Sequence, residues 1–544
     1  STADATNKGS GSADATTKVG SFGSTADATN HGSGSSDATT RGRFSTADSS
    51  NTGSGSADAN ANSRHSTADA TNKGSGSADA TTKVGSFGST ADATNHGSGS
   101  SDATTRGRFS TADSSNTGKG SADANANSRH STADATNKGS GSADATTKVG
   151  SFGSTADATN HGSGSSDATT RGRFSTADSS NTGSGSADSN ANSRHSTADA
   201  TNHGSGSADA TTHIGSFGST ADANNHGSGS ADADTRGHFS TADADNHGSG
   251  SADSNANSRH STADATNHGS GSADATTHIG SFGSTADANN HGSGSADADT
   301  RGRFSTADAD NHGSGSADAN ANSRHSTADA TNHGSGSADA TTHIGSFGST
   351  ADANNHGSGS ADADTRGRFS TADASNHGSG WSEADANSRH STADATNHGS
   401  GSADATTHIG SFGATADASN HGNGSADADT YSRHSTADAF NHGNGSADAT
   451  TFVGSHGSAA FAMNFDQGFA GAADFGANGV SISIDKGGTS EALDFGVDGF
   501  ASALNDGDGG SAFARTNAYE GTAQAQNGGD TWLDNLLAEM SANP

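Results

Sequence analysis

STADATNKGSGSADATTKVGSFG, residues 1–23, reads as two alternating segments, STADATN and SADATT, separated by a glycine pair. Alternation with a period of two marks a strand, and Gly-Ser-Gly between two such segments supplies a bend. The stretch therefore predicts a strand, a bend and a second strand. It recurs from Ser24 and Ser45 in copies of 21 residues, and the whole triplet restarts at Ser66, Ser131, Ser196, Ser261, Ser326 and Ser391, a period of 65 residues. Self-similarity at about 22 residues is the signature of a solenoid, in which each unit buries its face only against its neighbours. The fold class predicted is all-β, a β-solenoid of 21 strand-bend-strand turns over residues 1–457.

Comparing copies within the chain separates the faces. Ala3, Ala5, Ala13 and Ala15 recur almost unchanged, whereas Thr6 becomes Asn224 and Asp245, and Lys8 becomes His31 and Thr52. A position that accepts Thr, Asn and Asp faces water. The alanines, with Asn7 and Thr17 in phase, then face inward, and Thr2, Asp4, Lys8, Asp14 and Lys18 face out. A core of Ala, Asn and Thr is thin, so its sheets should approach closer than the ~10 Å of ordinary stacked sheets. Compensation must come from the ladder: in-register turns about 4.8 Å apart pair every backbone group and let identical Asn side chains form amide rows.

The bulk composition, 26% hydrophobic and 5% aromatic with a formal charge of −34, would by itself read as disordered, and strict periodicity is the counter-argument. There is no cysteine, hence no disulfide framework or thiolate metal site. No apolar run is long enough to cross a membrane as a helix, so no membrane insertion is expected. The acidic balance argues against nucleic acid and anionic lipid surfaces, leaving cations as natural partners. The chain starts in register at the first residue of a turn, as a processed mature chain or a piece of a longer array would. Its one proline is Pro544, so nothing before it interrupts a hydrogen-bond ladder.

Larger side chains sit at fixed places in the triplet. Phe22, Phe44 and the Arg64-His65 pair end its three turns, and Val19, later Ile214, lies close to Phe22. The expectation is an apolar seam closing one edge of the core, with an exposed aromatic row for sideways packing as the alternative. Residues 458–529 form degenerate, more apolar and broader turns, including Phe461, Phe465 and Phe469, that read as a cap over an otherwise open edge. Residues 530–544 read as a short amphipathic helix and tail. Thr531 is placed to N-cap it, and Trp532, Leu533, Leu536 and Leu537 form its apolar stripe for capping or self-assembly.

Early copies use Lys8, Lys18, Lys73 and Lys83 where later ones use His203, His213, His268 and His278, and Asp accumulates in parallel. Asp243, Asp245 and His247, and a period later Asp308, Asp310 and His312, fall on one outward face about 7 Å apart pairwise. Such an O,O,N face suits a transition ion, and these six residues are the candidate metal ligands. Stacked Asp rows also call for a counter-charge, for which Ca²⁺ or another hard cation is the candidate cofactor, with diffuse counterions as the plainer reading. Titration of 28 histidines would cancel most of the formal charge and bundle the protein on mild acidification. GSGSAD is similar to the calcium-binding nonapeptide of RTX proteins, though with displaced Asp, small Ala and a longer period; NDGDGG at 505–510 is closer but occurs once. Ser, His and Asp all belong to rows and form no unlike constellation, so no enzyme is predicted.

Tandem strand-bend-strand units with Asn and Ser at fixed positions and Gly at the bend resemble the secreted bacterial fibre subunits of the curli and Fap type. The likeness lies in the plan of construction of residues 1–457; those repeats use Gln, Asn and larger apolar residues inside, where this chain has Ala. The resemblance implies an extracellular or cell-surface fibre subunit, adhesin or biofilm-matrix protein whose partner is itself, as a homo-oligomeric filament. An acidic solenoid that binds cations or templates mineral is the second expectation, and an ice-binding protein with Thr ranks the third.

Overall fold

A computed structural model describes residues 1–527, except 19–21, 84–86, 128, 149–151, 193, 214–216, 258, 279–281, 323, 344–346, 388, 409–412, 453–455, 467, 496, 507–509 and 517–520. The expected terminal helix, with Thr531, Trp532, Leu533, Leu536 and Leu537, lies outside the described residues, as do Val19 and Ile214. Among the described residues every regular element is a strand. The chain divides into two compact units, Ser1–His278 and Ile279–Pro544.

The first unit is a β-solenoid built as the alternation dictates. Thr2–Asn7 pairs in parallel with Thr25–Asn30, Thr2 opposite Thr25 and Asn7 opposite Asn30. Ala13–Thr16 pairs likewise with Ser36–Thr40. Each strand pairs with its counterpart in the next coil, and the pattern continues to Thr262–Asn267 and Ala273–Thr277. Two parallel sheets face each other across the core, one from each strand of the coil. Ala26, Ala28 and Asn30 from one, and Ser36, Ala38 and Thr40 from the other, have no exposed surface. A buried methyl contributes only about 0.8 kcal/mol, so the ladder carries most of the order.

Each inward Asn is the hinge between core and bend. Asn30 Nδ2 donates to Asn51 Oδ1 at 2.8 Å and to the carbonyls of Gly32 and Gly34, while its Oδ1 accepts from Gly32 N–H. The same set recurs at Asn51, Asn72 and Asn95. Stacking these bends leaves no room for a side chain: a Cβ on Gly32 would lie 1.6 Å from Gly9 O, and one on Gly34 1.9 Å from Gly11 O. That is the reason for the two glycines in the bends of this unit.

A second core device runs between the sheets. Ser49 Oγ reaches Ser36 O at 2.9 Å and Ser36 Oγ at 2.8 Å, fully buried. Ser114 with Ser101 and Ser179 with Ser166 repeat it. Further along the chain the equivalents are Ala244 with Ala231 and Ala309 with Ala296. Both partners change together: the Ser36 hydroxyl takes Ser49 Oγ as its partner, so a serine at the first position calls for one at the second.

The second unit, described by itself, repeats the plan from Thr285–Asn290 paired with Thr306–Asn311 to Phe500–Asn505 paired with Thr522–Asn527. Two expectations change here. The turns after residue 457 are no broader: Asn464 stands opposite Asp485 and Asp485 opposite Asn505, on six-residue strands. Their extra apolar residues lie on the outer face, where Asp438 is followed in register by Phe461 and Ile482, while Ala462, Ser483 and Ala503 hold the core. Carboxylates also enter the interior, since Asp474, Asp485 and Asp494 are fully buried and burial raises the pKa of Asp474 and Asp485. At Asp485 the bend Lys486–Gly488 offers an N–H, Gly488 donating to Oδ1 at 3.0 Å, which is what a carboxylate can use in the Asn row.

Candidate functional site

The surface consists of rows, each the product of one outward position copied in register. The Asp rows come first: Asp4, Asp27 and Asp48 are stacked on one sheet, Asp14, Asp37 and Asp58 on the other. Neighbours one rung apart, half sunk between flanking side chains, resist ionising together. Burial and then Asp79 push Asp58 up to about 7, and burial with Asp92 and Asp48 pushes Asp69 to about 6. Asp232, Asp362 and Asp427 reach about 7 by the same two causes. The formal charge of −34 therefore overstates the charge carried near neutrality.

Next is the imidazole row. In the first unit His203, His226, His247 and His268 stack nearly parallel at 4.6–4.8 Å between centroids. In the second, His291, His312, His333 and His356 do the same, and the row runs on to His442, on which Phe465 stacks at 4.2 Å. Desolvation and then the neighbouring imidazoles hold His226 and His333 below the ordinary histidine value. Raised carboxyls and these depressed imidazoles therefore shift in opposite directions, both toward the uncharged form.

Third is the aromatic row, which corrects the expected closing seam. Phe44 is 53% exposed and Phe22 at the open first coil 72%, and Phe109, Phe174 and Phe239 match Phe44. The core is only methyl and hydroxyl deep, so a phenyl ring has nowhere to enter. Phe22 lies 5.2 Å from Phe44, Phe44 stacks on His65 at 4.9 Å, and His65 meets Phe87 edge-on at 5.4 Å, an order that repeats with the triplet. Phe44 (φ 54°) and His65 (φ 53°) hold the left-handed conformation, as do their copies, at a cost of order 1 kcal/mol each. Where the ring comes from Phe22, the following Gly23 (φ 63°) takes that conformation instead.

The sequence-predicted metal residues separate. Asp245 Oδ2 lies 3.4 Å from His247 Nε2, and Asp310 Oδ2 3.4 Å from His312 Nε2. The donor atoms of Asp245, His247 and His268 lie within 4.8 Å of one another, as do those of Asp310, His312 and His333. Asp243 and Asp308 are outside both groups; they belong to the continuous Asp row, between Asp222 and Asp264 and between Asp287 and Asp329. His268 and His333 escaped sequence reading because they come from the next coil. Of the capping residues, Phe461 packs its ring against Phe440 at 5.6 Å, and Phe469 opens the strand Phe469–Asp474 opposite Ser446. Of the NDGDGG segment, 507–509 lie outside the described residues.

The Thr ranks considered for ice binding are present in register, Thr2 with Thr25 and Thr46, but an Asp row runs beside them, Asp4 with Asp27 and Asp48. No family model, no curated protein and no solved structure matches the chain.

Proposed function

We propose that the protein is a structural, non-enzymatic component of the extracellular space, a fibre or surface-matrix subunit that associates with copies of itself through its aromatic row. The observation that carries this reading is the row itself: rings spaced about 5 Å apart, on the outside, two of every three on a left-handed, strained backbone that is copied with the triplet. Strain retained at every repeat, on the outside of an otherwise polar coil, needs a compensating contact. The extracellular placement is supported by the likeness of plan to secreted bacterial fibre subunits. The raised carboxyls support a second reading, an acidic solenoid that gathers Ca²⁺ or other hard cations along its Asp rows, because a bound cation relieves the same like-charge stress.

Negative-stain imaging and sedimentation of the purified protein test the first reading. The comparison is a variant with Phe109→Asn, Phe174→Asn and Phe239→Asn; Asn478 already holds the same left-handed corner at φ 55°. The wild type is expected to form lateral bundles or filaments and the variant to stay dispersed with an unchanged far-UV spectrum. A wild type that remains monomeric at high concentration overturns the proposal.

A further inference from the structure

Two places in the imidazole row differ from all others among the described residues in having a carboxylate beside two stacked rings: Asp245 with His247 and His268, and 65 residues later Asp310 with His312 and His333. The register explains the grouping. Asp245 lies one rung above Thr266, and His268, anchored by its N–H to Asn246 O at 2.7 Å, brings its ring under that of His247 at 4.6 Å and 4°. His312 and His333 have the same geometry, 4.6 Å and 4°.

The distances fit a particular class of ligand. Zinc-type ions bind imidazole N and carboxylate O at about 2.0–2.1 Å, which makes the edge of a tetrahedron about 3.3 Å. The Asp245 Oδ2 to His247 Nε2 separation of 3.4 Å is already such an edge. The third donor closes by rotation of an exposed ring, His268 or His333. The other carboxylate oxygens, Asp245 Oδ1 and Asp310 Oδ1, are buried, so Oδ2 is the oxygen each carboxylate presents beside the imidazole. Two nitrogens and one carboxylate suit a borderline transition ion, whereas Ca²⁺ takes six to eight oxygens. We infer that Asp245, His247 and His268, and Asp310, His312 and His333, form two equivalent sites for a divalent ion of the zinc class, each with its fourth position open to water.

The chain supplies its own controls. Ser50, Ser115, Ser180 and Ser375 stand where Asp245 and Asp310 do, and His377 stacks on His398 beside Ser375 with no carboxylate at that position. The test is equilibrium dialysis of the untagged full chain against Zn²⁺ near pH 7.5, with Asp245→Ser/Asp310→Ser as the comparison. The wild type should take up two tightly held ions per chain, unaffected by millimolar Ca²⁺, and Co²⁺ in their place should show the intense visible bands of a tetrahedral site. The double variant should weaken both by roughly tenfold or more and lose the bands. A second pair, His268→Thr/His333→Thr, which copies the natural arrangement of Thr117 beneath His96, should do the same and covers the case in which the Ser variant folds poorly. Zn²⁺ uptake that is unchanged in both variants, scaling with the stacked histidines alone, overturns the inference, as does a wild type that binds none.

Discussion

Asn116→Ala puts the amide row under direct strain. Asn116 donates to Asn137 Oδ1 at 2.9 Å and to the carbonyls of Gly118 and Gly120, and accepts from Asn95 Nδ2 at 2.9 Å and from Gly118 N–H at 3.3 Å. Alanine deletes all of these. At about 1 kcal/mol net for each of the three strongest, and a further ~1 kcal/mol for the bend groups left without a partner, the loss is about 4 kcal/mol. In a solenoid that loss is felt by the mutated coil and its two neighbours, since each repeat touches only the next. Native-state hydrogen exchange is therefore the assay: amides of Thr90–Asn95, Thr111–Asn116 and Thr132–Asn137 should exchange roughly a thousandfold faster, while strands several coils away keep their protection. Uniform protection, or equal loss along the whole unit, would refute the idea that the amide row locks coils one by one.

Ser49→Ala alone should destabilise the coil by about 1–2 kcal/mol, because it leaves the Ser36 hydroxyl buried without its partner, whereas Ser36→Ala/Ser49→Ala should be close to neutral; denaturant midpoints of the three proteins check this, and equal losses in single and double variants would contradict it. For pH, the Asp rows have folded pKa values raised above the unfolded 3.8, so their contribution is complete below pH 4 and is lost as pH rises through 6–7. The depressed imidazoles act in the opposite sense, their contribution being present above 6.5 and lost as pH falls. Between pH 6.5 and 8 only the carboxyls act, each half-exposed one contributing on the order of 0.5 kcal/mol after screening. The melting temperature in low salt should fall across that interval and recover with added salt; a rise would contradict the ladder.

Much of the architecture could be read from the residues because the chain carries its own alignment. Positions that vary between copies, such as Thr6, Asn224 and Asp245, declared the wet face, and the fixed Ala and Asn declared the dry one. What escaped was anything decided across coils. Along a strand, Asp243 and Asp245 are neighbours about 7 Å apart, but the rung partner about 4.8 Å away is 21 residues distant, so sequence spacing selected Asp243 where geometry selects His268. The Ser36–Ser49 pair left a readable trace in its joint replacement by Ala231 and Ala244, yet only the facing of two sheets gives that trace a meaning. Phe44 was placed inside by its chemistry and kept outside by the depth of the core.

The order of corner residues, Phe22 then Phe44 then His65, sets how such a chain can lengthen. Inserting a single copy of the smallest repeat would shift the phase of the rings and, where it falls between Ser36 and Ser49, separate that pair, while an insertion of three keeps the phase of the rings. The self-consistent module is thus the 65-residue triplet: a chain longer or shorter by whole triplets repeats the same contacts and needs no new one.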